Sequence, residues 1–174
     1  MKTDKFNYNL PEHLIAQYPS EQRTDSRLLV ATESIQHEIF KDIGNHIMEG
    51  DLLVLNRTSV IPARLYGEKI TGGKIEILLE RFLSNHQTLT QIRSSRTPKE
   101  GAELVFTFKG ERFVATVKGR KDNFFILDWS VDPQSLFLKY GQIPLPPYMN
   151  RAAETLDEER YETIYADPNK KESV

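Results

Sequence analysis

Two clusters that combine arginine with small hydroxyl and amide residues are the best candidates for chemistry in this sequence. The first reads Asn56-Arg57-Thr58-Ser59 and is soon followed by Arg64. The second is QIRSSRTPK, residues 91–99, which contains Arg93 and Arg96. Arginine forks bidentately onto phosphates and carboxylates, and Ser, Thr and Asn side chains can contact the same groups or the hydroxyls of a nucleoside. The alternative is that both clusters are turns whose side chains satisfy the local backbone.

Other kinds of site find little support in the sequence. The chain has no cysteine, which excludes disulfides, thiolate catalysis and cysteine-bound metals. Its 4 histidines have none of the close spacings typical of zinc ligands, so we expect no metal site. A stretch that resembles a phosphate-binding loop, Gly67 to Lys74, has its lysine one residue late and isoleucine where a magnesium-binding hydroxyl belongs. We interpret it as a hairpin turn.

Charge is unevenly distributed along the chain. Residues 64–121 contain 12 Lys and Arg against 6 Asp and Glu, a balance of +6, whereas the whole chain has a net charge of −2. Such asymmetry can mark a module that faces nucleic acid, but composition alone favours a β-rich module with solvated lysines on its outer strands. No run approaches the roughly 20 apolar residues of a membrane-spanning helix. The N-terminus also lacks the apolar core of a secretory signal, so we expect a cytoplasmic protein that does not insert in membranes.

The elements that must position these residues change character along the chain. Between residues 64 and 129, six short alternating segments follow one another, divided by turn residues and with no helix between them, which predicts a small antiparallel barrel or sandwich. These predicted strands are Arg64–Ile70, Lys74–Leu83, Thr88–Ser94, Ala102–Phe108, Glu111–Lys118 and Asn123–Trp129.

The segments on either side of the barrel predict a mixed α/β unit. Helices are expected where proline, capping residues or an apolar face suggest them, and strands where apolar residues alternate or run together. The predicted elements are a helix at Leu10–Ala16, a hairpin of Arg27–Thr32 and Gln36–Phe40, a buried strand at Asp51–Leu55, and helices at Asp132–Gly141 and Leu156–Tyr165. We therefore predict an α+β fold. Residues 1–62 and 149–174 would form parts of an α/β domain, and residues 63–148 an inserted barrel domain with a short helix near 133–140.

Several stretches resemble the S-adenosylmethionine:tRNA ribosyltransferase-isomerases of queuosine biosynthesis. They are LPEHLIAQYPSEQRTDSRLLV, GDLLVLNRTSVIPARLYG, TGGKIEILLERFL, IRSSRTPKEG, GQIPLPPYMNR and DEERYETIYA, and they span the whole sequence in the family's order. The resemblance implies transfer and isomerisation of the ribosyl part of S-adenosylmethionine onto 7-aminomethyl-7-deazaguanine at the wobble position of tRNA. The products would be epoxyqueuosine-tRNA, adenine and methionine. It also implies an α/β domain with an inserted β-barrel.

The implied chemistry needs a general base near the C5′ protons, which the adjacent sulfonium acidifies, and a proton donor for the leaving adenine. S-adenosylmethionine would be a co-substrate, so neither a cofactor nor a metal is expected. The partners would be the anticodon loop of tRNA and S-adenosylmethionine, bound by a protein that is monomeric at full length. For substrate binding we select Asn56, Arg57 and Thr58 in the first cluster, with Arg64, Arg93 and Arg96 as contacts to phosphate or carboxylate. The Asn56–Ser59 cluster would lie where the two domains meet.

The sequence departs from the family in two ways. The family's polar joint reads Asn, Asp or Asn, Thr and then a basic residue, whereas here Arg57 is second and Ser59 fourth. Members of the family also continue well beyond the equivalent of Val174, so much of the expected active site would lie outside this sequence. Two hypotheses follow: the chain is the N-terminal part of the tRNA-modifying enzyme, or it is a truncated, catalytically inactive fragment that binds RNA through its basic barrel.

Overall fold

The computed structural model describes residues 2–149 and 151–167. Contacts divide the chain into two units. The first contains residues 1–55 and 146–151, and the second contains residues 56–145 and 152–174. All six candidate substrate-binding residues belong to the second unit. The domain boundaries predicted above stay a prediction.

The first unit is built from one small sheet and short 3₁₀ helices. Strands β1 (Arg27–Ala31) and β2 (Ile35–Ile39) form the expected antiparallel hairpin, with Leu29 paired to His37. The helix expected at Leu10–Ala16 is only a 3₁₀ turn at Glu12–Leu14, and further 3₁₀ helices span Thr3–Phe6, Arg23–Asp25 and Phe40–His46. None of the described residues of this unit is fully buried.

The buried strand predicted at Asp51–Leu55 is wrong. The segment forms no regular element, and its apolar side chains face solvent, with Leu52 88% and Val54 82% exposed. A strand needs a neighbour that accepts and donates its ladder hydrogen bonds. None of the described backbone supplies that neighbour here, so apolar content alone does not make the segment a strand.

The second unit contains the predicted six-stranded antiparallel barrel, which confirms the fold class. The strands close in the order β3-β4-β5-β8-β7-β6. Their bounds lie within three residues of the predicted ones: β3 Arg64–Lys69, β4 Lys74–Phe82, β5 Gln87–Ser94, β6 Glu103–Phe108, β7 Glu111–Lys121 and β8 Phe124–Trp129. The stretch from Gly67 to Lys74, which resembles a phosphate-binding loop, contains the hairpin turn between β3 and β4. Gly72 in this turn has a φ of +85°.

The barrel core follows from alternation along the strands. Every second side chain points inward, and those of Leu65, Ile77 and Phe106 are at most 1% exposed. Trp129 lies among them, and its indole N–H donates to the Thr88 hydroxyl at 2.9 Å. Thr90, two residues along the same strand, is equally buried, but its hydroxyl has no hydrogen-bond partner among the described residues.

Helix α1 (Pro133–Tyr140) packs against this core. Asp132 caps its N-terminus by accepting from Gln134 N at 3.1 Å and Ser135 N at 3.0 Å, and Pro133 occupies the first turn as predicted. The Ser135 hydroxyl also donates to this carboxylate, and these bonds lower the pKa of Asp132 below its ordinary 3.8. On the buried face, Phe137 meets Phe82 and Trp129 edge-on, with ring centroids 6.1 and 5.9 Å away.

Gly141 ends this helix for a reason other than the one the sequence suggests. A glycine that ends a helix commonly adopts a left-handed conformation, but the φ of Gly141 is −66°. A Cβ at this position would instead lie 1.9 Å from the carbonyl oxygen of Pro62, where the chain enters the barrel. Next to it, Arg64 and Gln142 exchange backbone hydrogen bonds of 3.1 and 2.9 Å. Glycine is required because the segments that enter and leave the barrel touch here.

The chain after the barrel contains a second helix, α2 (Thr155–Arg160), which is shorter than the predicted Leu156–Tyr165. A capping box starts it: the Glu154 side chain accepts from the backbone of Asp157, whose own side chain accepts from the Glu154 N–H. In the part of the chain that the structure describes, no helix is long and apolar enough to cross a membrane.

Candidate functional site

The first polar cluster forms a turn held against Asp167. Asn56 Oδ1 accepts from the Thr58 N–H at 2.9 Å and from its hydroxyl at 2.8 Å. Arg57 Nη2 lies 2.9 Å from Asp167 Oδ2, and the Arg57 carbonyl accepts from Asp167 N at 2.8 Å. The Ser59 hydroxyl, which is buried, donates to the Asp167 carbonyl at 3.3 Å. These contacts give the cluster a clear structural role, whereas its role in substrate binding stays a prediction.

Arg64 links three parts of the second unit. Its Nε lies 3.0 Å from Glu76 Oε1 on β4, and its Nη2 donates to the Leu145 carbonyl at 3.2 Å. The Nε contact is an ion pair without a well-aligned hydrogen bond. Because the Arg64 side chain is only 19% exposed, much of its guanidinium is already occupied by the protein. This arrangement favours a positioning role at the entrance of the barrel.

Arg93 lies on the same outer face of the barrel as Arg64. On β5 it stands directly opposite Glu76, at a distance where cross-strand side chains normally interact. Glu76, however, forms its ion pair with Arg64. Among the described residues Arg93 has no ion-pair partner, and its side chain is exposed. Its charge therefore remains available to an anionic partner.

Arg96 lies in the turn after β5. Its carbonyl is held from two sides, by the Ser94 hydroxyl at 2.8 Å and by the Lys69 ammonium. The exposed Arg96 side chain makes no ion pair within the described ranges. The Lys69 ammonium and the backbone of Arg96 thus meet at the end of the barrel where β3 and β5 finish.

The six predicted residues do not converge on one point. The structure brings Asn56, Arg57 and Thr58 together with Asp167, places Arg64 and Arg93 on either side of Glu76, and leaves Arg96 beside Lys69. Sequence reasoning missed a further group at the β7–β8 turn, where Arg120 and Asn123 line a cleft with Gln91. The run Gly119-Arg-Lys-Asp-Asn123 carries two adjacent cations at a turn, which is the signal that could have found it.

Metal ligands do not gather in the part of the molecule that the structure covers. Across residues 2–149 and 151–167, no group of three His, Asp or Glu side chains is arranged to hold a metal ion.

A family model and the curated relatives each match all or nearly all of this chain. A family model described as "Queuosine biosynthesis protein" matches residues 3–174. The chain belongs to this family. An S-adenosylmethionine:tRNA ribosyltransferase-isomerase of Acinetobacter baylyi is 48% identical over 100% of the chain, and one of Acinetobacter baumannii is 45% identical over the same share.

The match to these queuosine biosynthesis proteins is partial on their side. The chain covers 51% of the A. baylyi protein and 50% of the A. baumannii protein, so it spans about half the length of the curated relatives it matches. A crystal structure of an S-adenosylmethionine tRNA ribosyltransferase from Thermotoga maritima is 40% identical with a TM-score of 0.39, and the match covers 79% of this chain and 48% of that one.

Proposed function

We propose that this chain is part of an enzyme that acts on the wobble position of tRNA. The enzyme transfers the ribosyl moiety of S-adenosylmethionine onto 7-aminomethyl-7-deazaguanine and isomerises it, giving epoxyqueuosine-tRNA, adenine and methionine. The observation that carries the proposal is the 48% identity to a ribosyltransferase-isomerase across the whole chain. The proposal includes a cytoplasmic location, because the substrate is tRNA, and a full-length protein that works as a monomer.

The reaction sets the tasks that the whole enzyme must perform. The sulfonium of S-adenosylmethionine acidifies the C5′ protons, so a general base can remove one of them. Adenine leaves with a proton from a donor, methionine departs, and the neutral amine of the tRNA base forms the new bond to the sugar. We place the general base and the proton donor for adenine in the half of the relatives that this chain does not match.

The second unit of this chain contributes to tRNA binding in the proposal. Arg93 and Arg96 are exposed cations without ion pairs among the described residues, at positions where they can contact phosphates. Arg64 and Glu76 fix the strand pair that presents Arg93. The polar turn from Asn56 to Ser59 holds the entrance of the barrel and supplies Asn56 and Thr58 as candidate contacts to substrate.

A chimera tests this proposal. Residues 1–174 are joined to the half of the A. baylyi protein that the chain does not match, and adenine release is measured with S-adenosylmethionine and the modified tRNA. We expect adenine release by the chimera and none by the 174-residue chain alone. A chimera that folds and binds tRNA but releases no adenine would contradict the proposal. Adenine release by the chain alone would show that its own residues carry the chemistry.

A second candidate function is RNA binding without chemistry. The exposed, unpaired arginines of the barrel favour it, since they require only an anionic partner. This function predicts that the 174-residue chain binds tRNA as tightly as the chimera does and that neither protein releases adenine. The same two measurements therefore separate the two candidates.

A further inference from the structure

A cleft opens in the barrel wall where β5 and β8 separate. These strands pair from Gln87↔Asp128 to Thr90↔Phe125, where their ladder ends. Beyond that point β5 continues against β4, while Phe124 at the start of β8 pairs with Lys121 of β7. The space between them is a cavity of about 450 Å³, within the size range of small-ligand sites. We call it the β5–β8 cleft.

One wall of the cleft carries an exposed arginine whose guanidinium covers a buried ring. The Arg120 guanidinium lies over the Phe125 ring with Cζ 4.5 Å from the centroid, and Phe125 is itself only 4% exposed. Arg120 Nη2 donates to the Asn123 carbonyl at 3.5 Å. Within the described residues Arg120 has no ion pair. A guanidinium has five N–H donors, so most of them remain for a ligand in the cleft.

The other lining groups have the chemistry that recognises a base. Gln91 and Asn123 contribute side-chain amides, which donate to and accept from base edges. Thr97 contributes a hydroxyl, and the half-buried Phe124 ring contributes an aromatic surface. Proteins bind unpaired nucleotides with this combination of aromatic surface, amide edges and arginine.

The charges around the cleft indicate a polymer rather than a free nucleotide. Arg93, Arg96 and Lys121 are each adjacent in sequence to a lining residue and have no ion pairs among the described residues. Of the nearby acids, Glu76 is occupied by Arg64, and Asp122 lies at the tip of the β7–β8 turn. Glu100 also approaches the cleft, since its Oε2 would lie 3.9 Å from a Cβ at Gly119, but the cations still outnumber the acids. One nucleotide would engage Arg120 and leave the surrounding cations unmatched, whereas a strand of RNA presents a phosphate to several of them.

We infer that the β5–β8 cleft holds one unpaired nucleotide of the RNA to which the protein binds. Arg120 contacts its phosphate or stacks on the base, Gln91 and Asn123 contact the base edge, and the surrounding arginines contact neighbouring phosphates. The inference rests on the proposed function, in which the RNA is tRNA. It adds a binding subsite on the barrel to that function.

Binding of a labelled anticodon stem-loop RNA to the 174-residue chain, followed by fluorescence anisotropy across a salt series, tests the inference. Arg120→Ala should weaken binding about tenfold and lower the salt slope by about 0.7, the value for one lost contact to single-stranded RNA. The matched control is Arg112→Ala, which removes the same charge from an exposed position eight residues earlier on β7, about 26 Å away. We expect the control to bind within about twofold of the unaltered chain, as a rim charge does.

A neutral variant separates base contacts from charge. Gln91→Ala combined with Asn123→Ala should weaken stem-loop binding at least about fivefold and leave the salt slope unchanged. A fully duplex RNA should bind more weakly than the stem-loop, and AMP should compete only weakly. Equal losses for Arg112→Ala and Arg120→Ala, or equal binding of duplex and loop RNA, would overturn the inference.

Folding and function are controlled separately. Thermal melting followed by the fluorescence of Trp129, the one tryptophan, shows whether each variant retains the barrel. If Arg120→Ala unfolds, Arg120→Lys should fold, keep the salt slope and still lose affinity, because lysine lacks the planar fork; unchanged affinity would overturn the inference. The chimera separates the inference from the proposed function. If it releases adenine and Arg120→Ala leaves its KM for tRNA unchanged, the nucleotide site in the cleft is refuted and the proposed function stands. If stem-loop binding depends on Arg120 but the chimera releases no adenine, the proposed function is refuted and the nucleotide site stands.

Discussion

Two threonines on β5 should respond in opposite directions to the same substitution. Thr88 and Thr90 both point into the barrel and both have 0% exposure. The Thr88 hydroxyl accepts from the Trp129 indole at 2.9 Å, whereas the Thr90 hydroxyl has no partner among the described residues. Valine has the same shape as threonine but no hydroxyl, so the two variants isolate the hydrogen bond. Each is the control for the other.

The magnitudes follow from burial. Thr88→Val leaves the Trp129 N–H buried and unpaired, which should lower the free energy of unfolding by about 1–3 kcal/mol. Thr90→Val removes a buried hydroxyl that is already unpaired, so the free energy of unfolding should rise by about 1 kcal/mol. The two variants should therefore differ by at least about 2 kcal/mol, in a barrel that otherwise keeps its packing.

Urea denaturation followed by far-UV circular dichroism measures the difference. Circular dichroism is preferred for this pair because Thr88→Val changes the surroundings of Trp129 and hence its fluorescence. Equal m-values would show that the two variants unfold in the same way, which the comparison requires. If Thr90→Val destabilised the barrel as much as Thr88→Val, the Thr90 hydroxyl would have a partner in the folded protein and the reasoning would be refuted.

Three further predictions concern the ends of the barrel. Gly141→Ala should lower the free energy of unfolding by about 3 kcal/mol, because the Cβ would force apart backbone segments joined by two hydrogen bonds. Gly44→Ala is the control, since nothing lies within 4 Å of a Cβ at that position. Equal melting temperatures of the two variants would contradict the close approach of Gly141 to Pro62. Arg93→Ala combined with Arg96→Ala should weaken tRNA binding and make the affinity less dependent on salt concentration. An unchanged salt dependence would show that these arginines do not contact phosphates. The lowered pKa of Asp132 means that its capping bonds stabilise the folded barrel above the unfolded pKa and are lost as pH falls through the folded value. Asp132→Asn should therefore show a smaller loss of stability than the unaltered chain between about pH 5 and pH 2 in thermal melts, and parallel curves would contradict it.

The barrel was predictable because its signals are local. Alternation and turn residues placed all six strands, and a capping aspartate with proline placed α1. The conformation of Asp51–Leu55 was not predictable, because an apolar run does not specify which chain segment pairs with it. The need for glycine at position 141 was not predictable either, because its close approach to Pro62 joins residues far apart in the sequence.

The candidate site could be predicted only by residue type. Sequence identified the arginines, but not that Asp167 pairs with Arg57 or that Glu76 pairs with Arg64 and so leaves Arg93 unpaired. Those outcomes depend on strand register and on contacts between distant segments. The β5–β8 cleft depends on the point where two strands stop pairing, which the residues on either side do not specify locally.

Adenine release is the most direct test of the central claim, that this chain is part of a tRNA ribosyltransferase-isomerase. The chimera of residues 1–174 with the remaining half of the A. baylyi protein is incubated with S-adenosylmethionine and either the modified tRNA or the same tRNA carrying guanine at the wobble position. We predict adenine release with the modified tRNA and none with the unmodified one. A folded chimera that binds both tRNAs and releases adenine with neither would contradict the claim.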